Sequence, residues 1–112
     1  MMLVTDAMSS VGAETKDFVL QGRQIRVRDG ICSYEDGTLA GSDLDMAAAV
    51  ANAMGMLGLE PAVAARLAAG NPAAFLGLEA ERGTLAVGLR ADWVQLTGAM
   101  APVSTWIGGR RA

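Results

Sequence analysis

In the stretch FVLQGRQIRVRDGICSY, Ile25 and Val27 alternate with Arg26 and Arg28, the period-two pattern of a strand with one buried face. Asp29-Gly30 supplies the positive φ angles of a tight hairpin turn, so Ile31–Tyr34 is expected to pair back on Gln24–Arg28. Upstream, Met1–Thr5 is a short apolar run ending at Asp6, which predicts a buried leading strand, and Ala7–Thr15 predicts a loop of small residues. The segment EDGTLAG, residues 35–41, is expected to be a Gly-punctuated loop.

The period then changes from two to that of a helix. Leu44, Ala48, Ala51 and Met54 recur at helical spacing until Gly58, with Ser42 three residues before Asp45 in a capping-box-like arrangement. Pro61 suits the first turn of a second helix running to Ala69 and closed by Gly70. Asn71-Pro72 opens a third, short helix that Gly77 stops. Trp93–Leu96 returns to a strand, and VSTWIGGRR predicts strand, Gly-Gly turn and strand start.

Composition narrows the functions open to such a chain. At 112 residues it is one domain at most, and its core must be filled by small or flexible side chains, since aromatic residues make up only 4%. A net charge of −3 without basic runs gives no footprint for nucleic acid or an anionic membrane. The least polar stretch, Met46–Leu59, is interrupted by Asn52, Gly55 and Gly58, so no membrane span is expected. A lone Cys32 excludes an internal disulfide and fits a reducing compartment, and no basic-then-apolar leader opens the chain. A soluble, cytoplasmic protein is the expectation.

Histidine is absent, and that removes most self-sufficient catalytic designs. A zinc site needs three or four ligands from Cys, His and carboxylates, and Glu35, Asp36, Asp43 and Asp45 do not have a calcium-loop spacing. Those acids read as loop residues and helix caps. Serine or cysteine nucleophiles need an adjacent base, usually His. Phosphate-loop and dinucleotide-binding glycine patterns are missing as well. Asp6 stands apart: an acid at the end of a buried strand is either a turn former or, in a (β/α) barrel, a side chain at the face where catalysis occurs.

Taken in order, LVTDAMSSVGA, F-x-L-x-G-x-x-I-x-V-x-DG, DGTLAGSDLDMAAAV, NPAAFLGL and RGTLAVGLRADWV resemble the C-terminal portion of the N-acetylglucosamine-6-phosphate deacetylase family of amidohydrolases. Trp93, where an aliphatic residue is usual, and Val87, where proline is common, depart from the pattern. The resemblance implies an α/β fold, α+β as an isolated piece: the last strand and helices of a (β/α)8 barrel together with part of a small β-sandwich. Residues 1–78 would be the barrel end, with a hairpin insertion at 17–35, and residues 79–112 the sandwich strands.

The same resemblance implies hydrolysis of N-acetyl-D-glucosamine 6-phosphate to D-glucosamine 6-phosphate and acetate. Asp6 matches the catalytic aspartate, which takes a proton from metal-bound water and passes it to the leaving amine. Leu39, Ala40 and Gly41 match a substrate-contacting loop, although Gly41 also reads as a plain turn residue before Ser42. A divalent metal, with zinc the expected ion, belongs to the complete enzyme, and its glutamate and histidine ligands lie upstream of this chain. The chain alone is therefore expected to hold no metal and to be inactive, with an amino-sugar phosphate as partner only in a complete enzyme.

A second reading is a free-standing, non-catalytic β-rich module that associates through exposed sheet edges, as a homo-oligomer, because half a sandwich and a lone strand leave edges unpaired. A third is complementation by a separately encoded barrel half.

Overall fold

The computed structural model describes residues 1–112 as two compact units, Thr5–Asp45 and Met1–Val4 with Met46–Ala112. The first is a four-stranded antiparallel meander in the order β1 (Phe18–Leu20), β2 (Arg23–Arg28), β3 (Ile31–Tyr34) and β4 (Leu39–Ser42). Gln21-Gly22 and Asp29-Gly30 all have positive φ, at 50°, 78°, 51° and 78°, the backbone that lets a two-residue turn follow the twist of its strands. The expected register holds: Arg28 pairs with Ile31, Val27 with Cys32, Arg26 with Ser33 and Ile25 with Tyr34.

Alternation places Ile25, Val27 and Cys32 in the core of this unit, with Met8, Phe18, Tyr34 and Ala40 packed against them. The other face carries ion pairs, with Arg26 on Glu35 at 3.2 Å and Arg28 on Asp17 at 2.8 Å.

Residues 35–41 are not a loop throughout. The turn closes early, with Thr38 N–H donating to Asp36 Oδ1 at 2.9 Å and Tyr34 N–H to the Thr38 carbonyl at 2.9 Å, so Leu39 already pairs with Ser33. Cys32 then pairs with Gly41, which leaves Ala40 as the extra residue of a β-bulge.

The second unit holds α1 (Met46–Leu57), α2 (Pro61–Ala65), a π-helical turn (Arg66–Gly70), α3 (Asn71–Phe75) and a three-stranded antiparallel sheet. Its strands are β5 (Trp93–Leu96), β6 (Pro102–Ile107) and β7 (Arg110–Arg111), with Gly108-Gly109 as the expected turn at φ 57° and 78°. Trp93 and Trp106 face each other across β5 and β6, their rings 5.0 Å apart and 8° from parallel. Gly58 ends α1 at φ 64°. Gly77 ends α3 at φ 70° in a Schellman motif, its N–H bonded to Ala74 O and that of Leu78 to Ala73 O.

Three sequence expectations are corrected here. Met1–Thr5 is not a strand, because no strand of the chain runs beside it; instead Leu3 N–H donates to the Leu67 carbonyl at 2.9 Å. Gly70 does not close a helix: it and Asn71 both keep right-handed helical angles, and the helical run continues from Pro61 to Phe75. Asn71 N–H reaches back five residues to Arg66 O, which frees the Leu67 carbonyl for Leu3. Finally, Ser42 belongs to β4 rather than to a capping box, since α1 begins at Met46. No helix is long and apolar enough to cross a membrane.

Candidate functional site

Within the Thr5–Asp45 unit, the backbone after Thr5 is laid against the outer edge of β4. Ser42 N–H donates to the Asp6 carbonyl at 2.9 Å, and Met8 N–H donates to the Ser42 carbonyl at 2.9 Å, a one-residue parallel bridge between Ala7 and Ser42. Ser42 Oγ adds a third bond, donating to the Thr5 carbonyl, and itself accepts from Leu44 N–H at 3.2 Å.

Asp6 sits in the left-handed region at φ 52°, which a short polar side chain tolerates better than most. Its carboxylate is exposed, so it is Asp6's backbone that the sheet holds.

Three hydrogen bonds between Ser42 and the segment Thr5–Met8 thus put Asp6 beside Gly41. A Cβ on Gly41 would lie 2.8 Å from the Asp6 carbonyl oxygen and 2.7 Å from Met8 Cγ, so only glycine admits this approach. Gly41 itself is buried. Ala40, the bulge residue, packs into the core, and Leu39 leaves 68% of its surface exposed. Of the four residues singled out by sequence, Asp6 and Gly41 are in contact, whereas Leu39 and Ala40 extend along β4 away from them.

The loop beyond Asp6 is tied down by polar contacts that the sequence did not announce. Lys16 Nζ donates to the Ser10 carbonyl at 3.0 Å and pairs with Asp43 at 2.9 Å. The Lys16 ammonium, followed by a bond from Ser10, holds the Asp43 carboxyl below the usual carboxylate range. Ser10 is buried, with its Oγ 3.6 Å from Cys32 Sγ. Arg28 forks onto both Asp17 oxygens at 2.8 and 3.1 Å, and with the Val27 N–H it lowers the Asp17 pKa.

These residues do not make a metal centre. No three of His, Cys, Asp and Glu converge, histidine is absent, and one exposed carboxylate is not a ligand set. What the site offers chemically is a solvent-facing carboxylate on a fixed backbone, next to a strand whose edge is pulled close by glycine.

A family model described as the amidohydrolase family matches residues 1–112. The chain belongs to that family. Among curated amidohydrolase relatives, the N-acetylgalactosamine-6-phosphate deacetylase of Shewanella sp. (strain ANA-3) is 39% identical over 97% of this chain and 27% of its own length. That of Escherichia coli O157:H7 is 35% identical over 99% of this chain and 29% of its own. The crystal structure of N-acetylglucosamine-6-phosphate deacetylase from Pasteurella multocida superposes with a TM-score of 0.91 at 31% identity, covering 99% of this chain and 29% of that one.

The chain therefore spans under a third of the length of these three proteins. Amidohydrolase family members are metal-dependent. By sequence alone Ser42 reads as a helix-starting residue. Its place at the end of DGTLAGS, next to a glycine, was the available signal for its role against Asp6.

Proposed function

We propose that these residues are the C-terminal portion of an N-acetylhexosamine-6-phosphate deacetylase that hydrolyses N-acetyl-D-glucosamine 6-phosphate to D-glucosamine 6-phosphate and acetate. The observation that carries the reading is the contact between Asp6 and Gly41, which joins the two motifs VTDA and DGTLAGS in one place on a chain matched end to end by deacetylases. In this reading residues 1–78 end a (β/α)8 barrel, with residues 17–35 inserted as a hairpin. Residues 79–112 supply strands of a small β-sandwich, and the enzyme is cytoplasmic.

Asp6 is the proton carrier. As water adds to the amide carbonyl, the carboxylate accepts the water's proton; as the C–N bond breaks, it returns that proton to the amine nitrogen, which leaves as the free amino sugar. Leu39, Ala40 and Gly41 form the substrate-contacting loop in this reading: exposed Leu39 offers the contact surface, and buried Gly41, for want of a Cβ, lets the Asp6 backbone approach. The divalent metal of the complete enzyme, zinc in this reading, is held by residues outside this chain. The 112 residues alone are then inactive.

A second reading, a free-standing association module, is favoured by one feature: large apolar side chains such as Phe75, Leu76 and Leu85 remain mostly exposed. The deciding experiment isolates the native polypeptide with an antibody against this chain. It records its intact mass and measures acetate release from N-acetyl-glucosamine and N-acetyl-galactosamine 6-phosphates. A mass well above 11.5 kDa, with acetate release abolished by Asp6→Asn, is expected. A native product of 11.5 kDa that releases no acetate overturns the proposal in favour of the module, and activity that survives Asp6→Asn overturns the role of Asp6 as proton carrier. Activity on the galactosamine epimer alone corrects the substrate but not the reaction.

A further inference from the structure

We infer that Ser42 is a positioning residue for Asp6, acting through the backbone on which the carboxylate is mounted. The inference deepens the reading above and rests on Asp6 being the proton carrier.

Ser42 holds the segment on both sides of Asp6. Its N–H bonds to the Asp6 carbonyl and its C=O to the Met8 N–H, both at 2.9 Å. Those two bonds depend on the main chain alone and are available to any residue with an N–H. The hydroxyl is different, because only Ser or Thr supplies it. Oγ accepts from Leu44 N–H at 3.2 Å, which orients it, and donates to the carbonyl of Thr5, the residue immediately before Asp6.

The Thr5 and Asp6 carbonyls are thus both held by one residue of β4, next to the Gly41 that makes the approach possible. With φ of Asp6 held at 52°, the side-chain torsions χ1 and χ2 alone decide where the carboxylate points. Losing the hydroxyl lets the Thr5–Asp6 peptide rotate, and a proton carrier displaced by about 1 Å costs up to about 100-fold in rate without weakening substrate binding.

The test has two arms. In the native polypeptide, Ser42→Ala is expected to lower kcat at least about 10-fold with KM within about 2-fold, and Ser42→Thr, which restores the hydroxyl, to recover kcat to within about 3-fold. In the 112-residue chain, amide exchange followed by NMR should quicken at Met8 by about 5-fold or more in Ser42→Ala, the scale of one lost hydrogen bond, while Val27 is unaffected. Should the alanine variant fail to fold, Ser42→Cys carries both arms, since it keeps the size and weakens the donor.

Asp6→Asn is run alongside. If Asp6→Asn is inactive but Ser42→Ala keeps wild-type kcat, raises KM only, is not rescued by Thr, or leaves Met8 exchange unchanged, the positioning role is overturned and the reading of Asp6 stands. If Asp6→Asn stays active, both fall together.

Discussion

Gly41 and Asp6 are packed backbone to backbone: a Cβ on Gly41 would stand 2.8 Å from the Asp6 carbonyl oxygen, inside any normal carbon–oxygen contact. A main-chain oxygen is a rigid neighbour, and this one is also bonded to Ser42 N–H. Met8 Cγ and Sδ, at 2.7 and 2.9 Å, swing aside more easily. Gly41→Ala is therefore expected to destabilise the Thr5–Asp45 unit by about 1–3 kcal/mol, the usual cost of overpacking. Urea unfolding followed through the Tyr34 ring resonances reads this directly. An unchanged midpoint would mean that the segment after Thr5 is not held against β4 as described.

The acid limb of stability is set by carboxylates whose pKa is lowered in the fold. Asp17 is lowered by Arg28 and the Val27 N–H, Asp43 by Lys16 and Ser10, Asp36 by Thr38, and Asp92 by the Gly108 N–H and Arg90. Each binds its proton less readily folded than unfolded, so each contributes stability that is full above the ordinary value of 3.8 and lost as pH falls through the lower folded value. The midpoint of thermal unfolding should accordingly drop on acidification below about pH 4. Arg28→Gln should flatten that drop and move the Asp17 carboxyl titration, followed by NMR, upward towards its ordinary range. A slope identical in both proteins would remove Asp17 from the account.

Gly83 lies against the long helical run at its π turn. A Cβ there would meet Ala73 Cβ at 2.6 Å and the Ala69 carbonyl at 3.3 Å, and φ is 104°, where L side chains are strained. Gly70, across the contact, has ordinary helical angles, and a Cβ on it would meet only the flexible Arg66 Cγ at 3.2 Å and the Gly83 carbonyl at 3.5 Å. Gly83→Ala should thus cost about 1–3 kcal/mol or more, and Gly70→Ala less than about 1, by Trp93 and Trp106 fluorescence in urea. Adding Ala73→Gly to Gly83→Ala should return part of the loss, since it removes the clash but not the backbone strain. Equal effects at 70 and 83 would contradict the packing.

The parts legible in the sequence were those decided locally. The Ile25/Val27 alternation, the Asp29-Gly30 and Gly108-Gly109 turns, and the stops at Gly58 and Gly77 need only a few neighbouring residues, and the structure has all of them. Where long-range partners decide, local reading failed. Met1–Thr5 has strand composition but no neighbouring strand. Gly70 and Pro72 look like a helix end, yet the π turn carries the helix through because Leu3 takes the carbonyl it releases. For the candidate site, Asp6 stood out by motif and position. Ser42 did not, because a serine just ahead of a helical run reads most simply as a cap, and only the chain doubling back from Thr5 reveals its other partner.

Exposed apolar edges predict the behaviour of the chain alone. β1 is an outer strand of its sheet, with Val19 64% exposed, and β5 is an outer strand of the other, with Val94 49% exposed. Neither strand carries a lysine or a proline, two residues with which edge strands usually avoid pairing. Sedimentation velocity of the 112-residue chain should therefore show a weight-average mass that climbs with concentration above 11.5 kDa. Val19→Lys and Val94→Lys each place a charge on one edge without touching a buried side chain. The variant that returns the chain to 11.5 kDa identifies which sheet associates, and no change in either would shift the contact to the exposed residues Phe75 and Leu76 at the end of α3. A wild-type chain that stays at 11.5 kDa at every concentration would show that these edges are protected and would remove the physical basis for association.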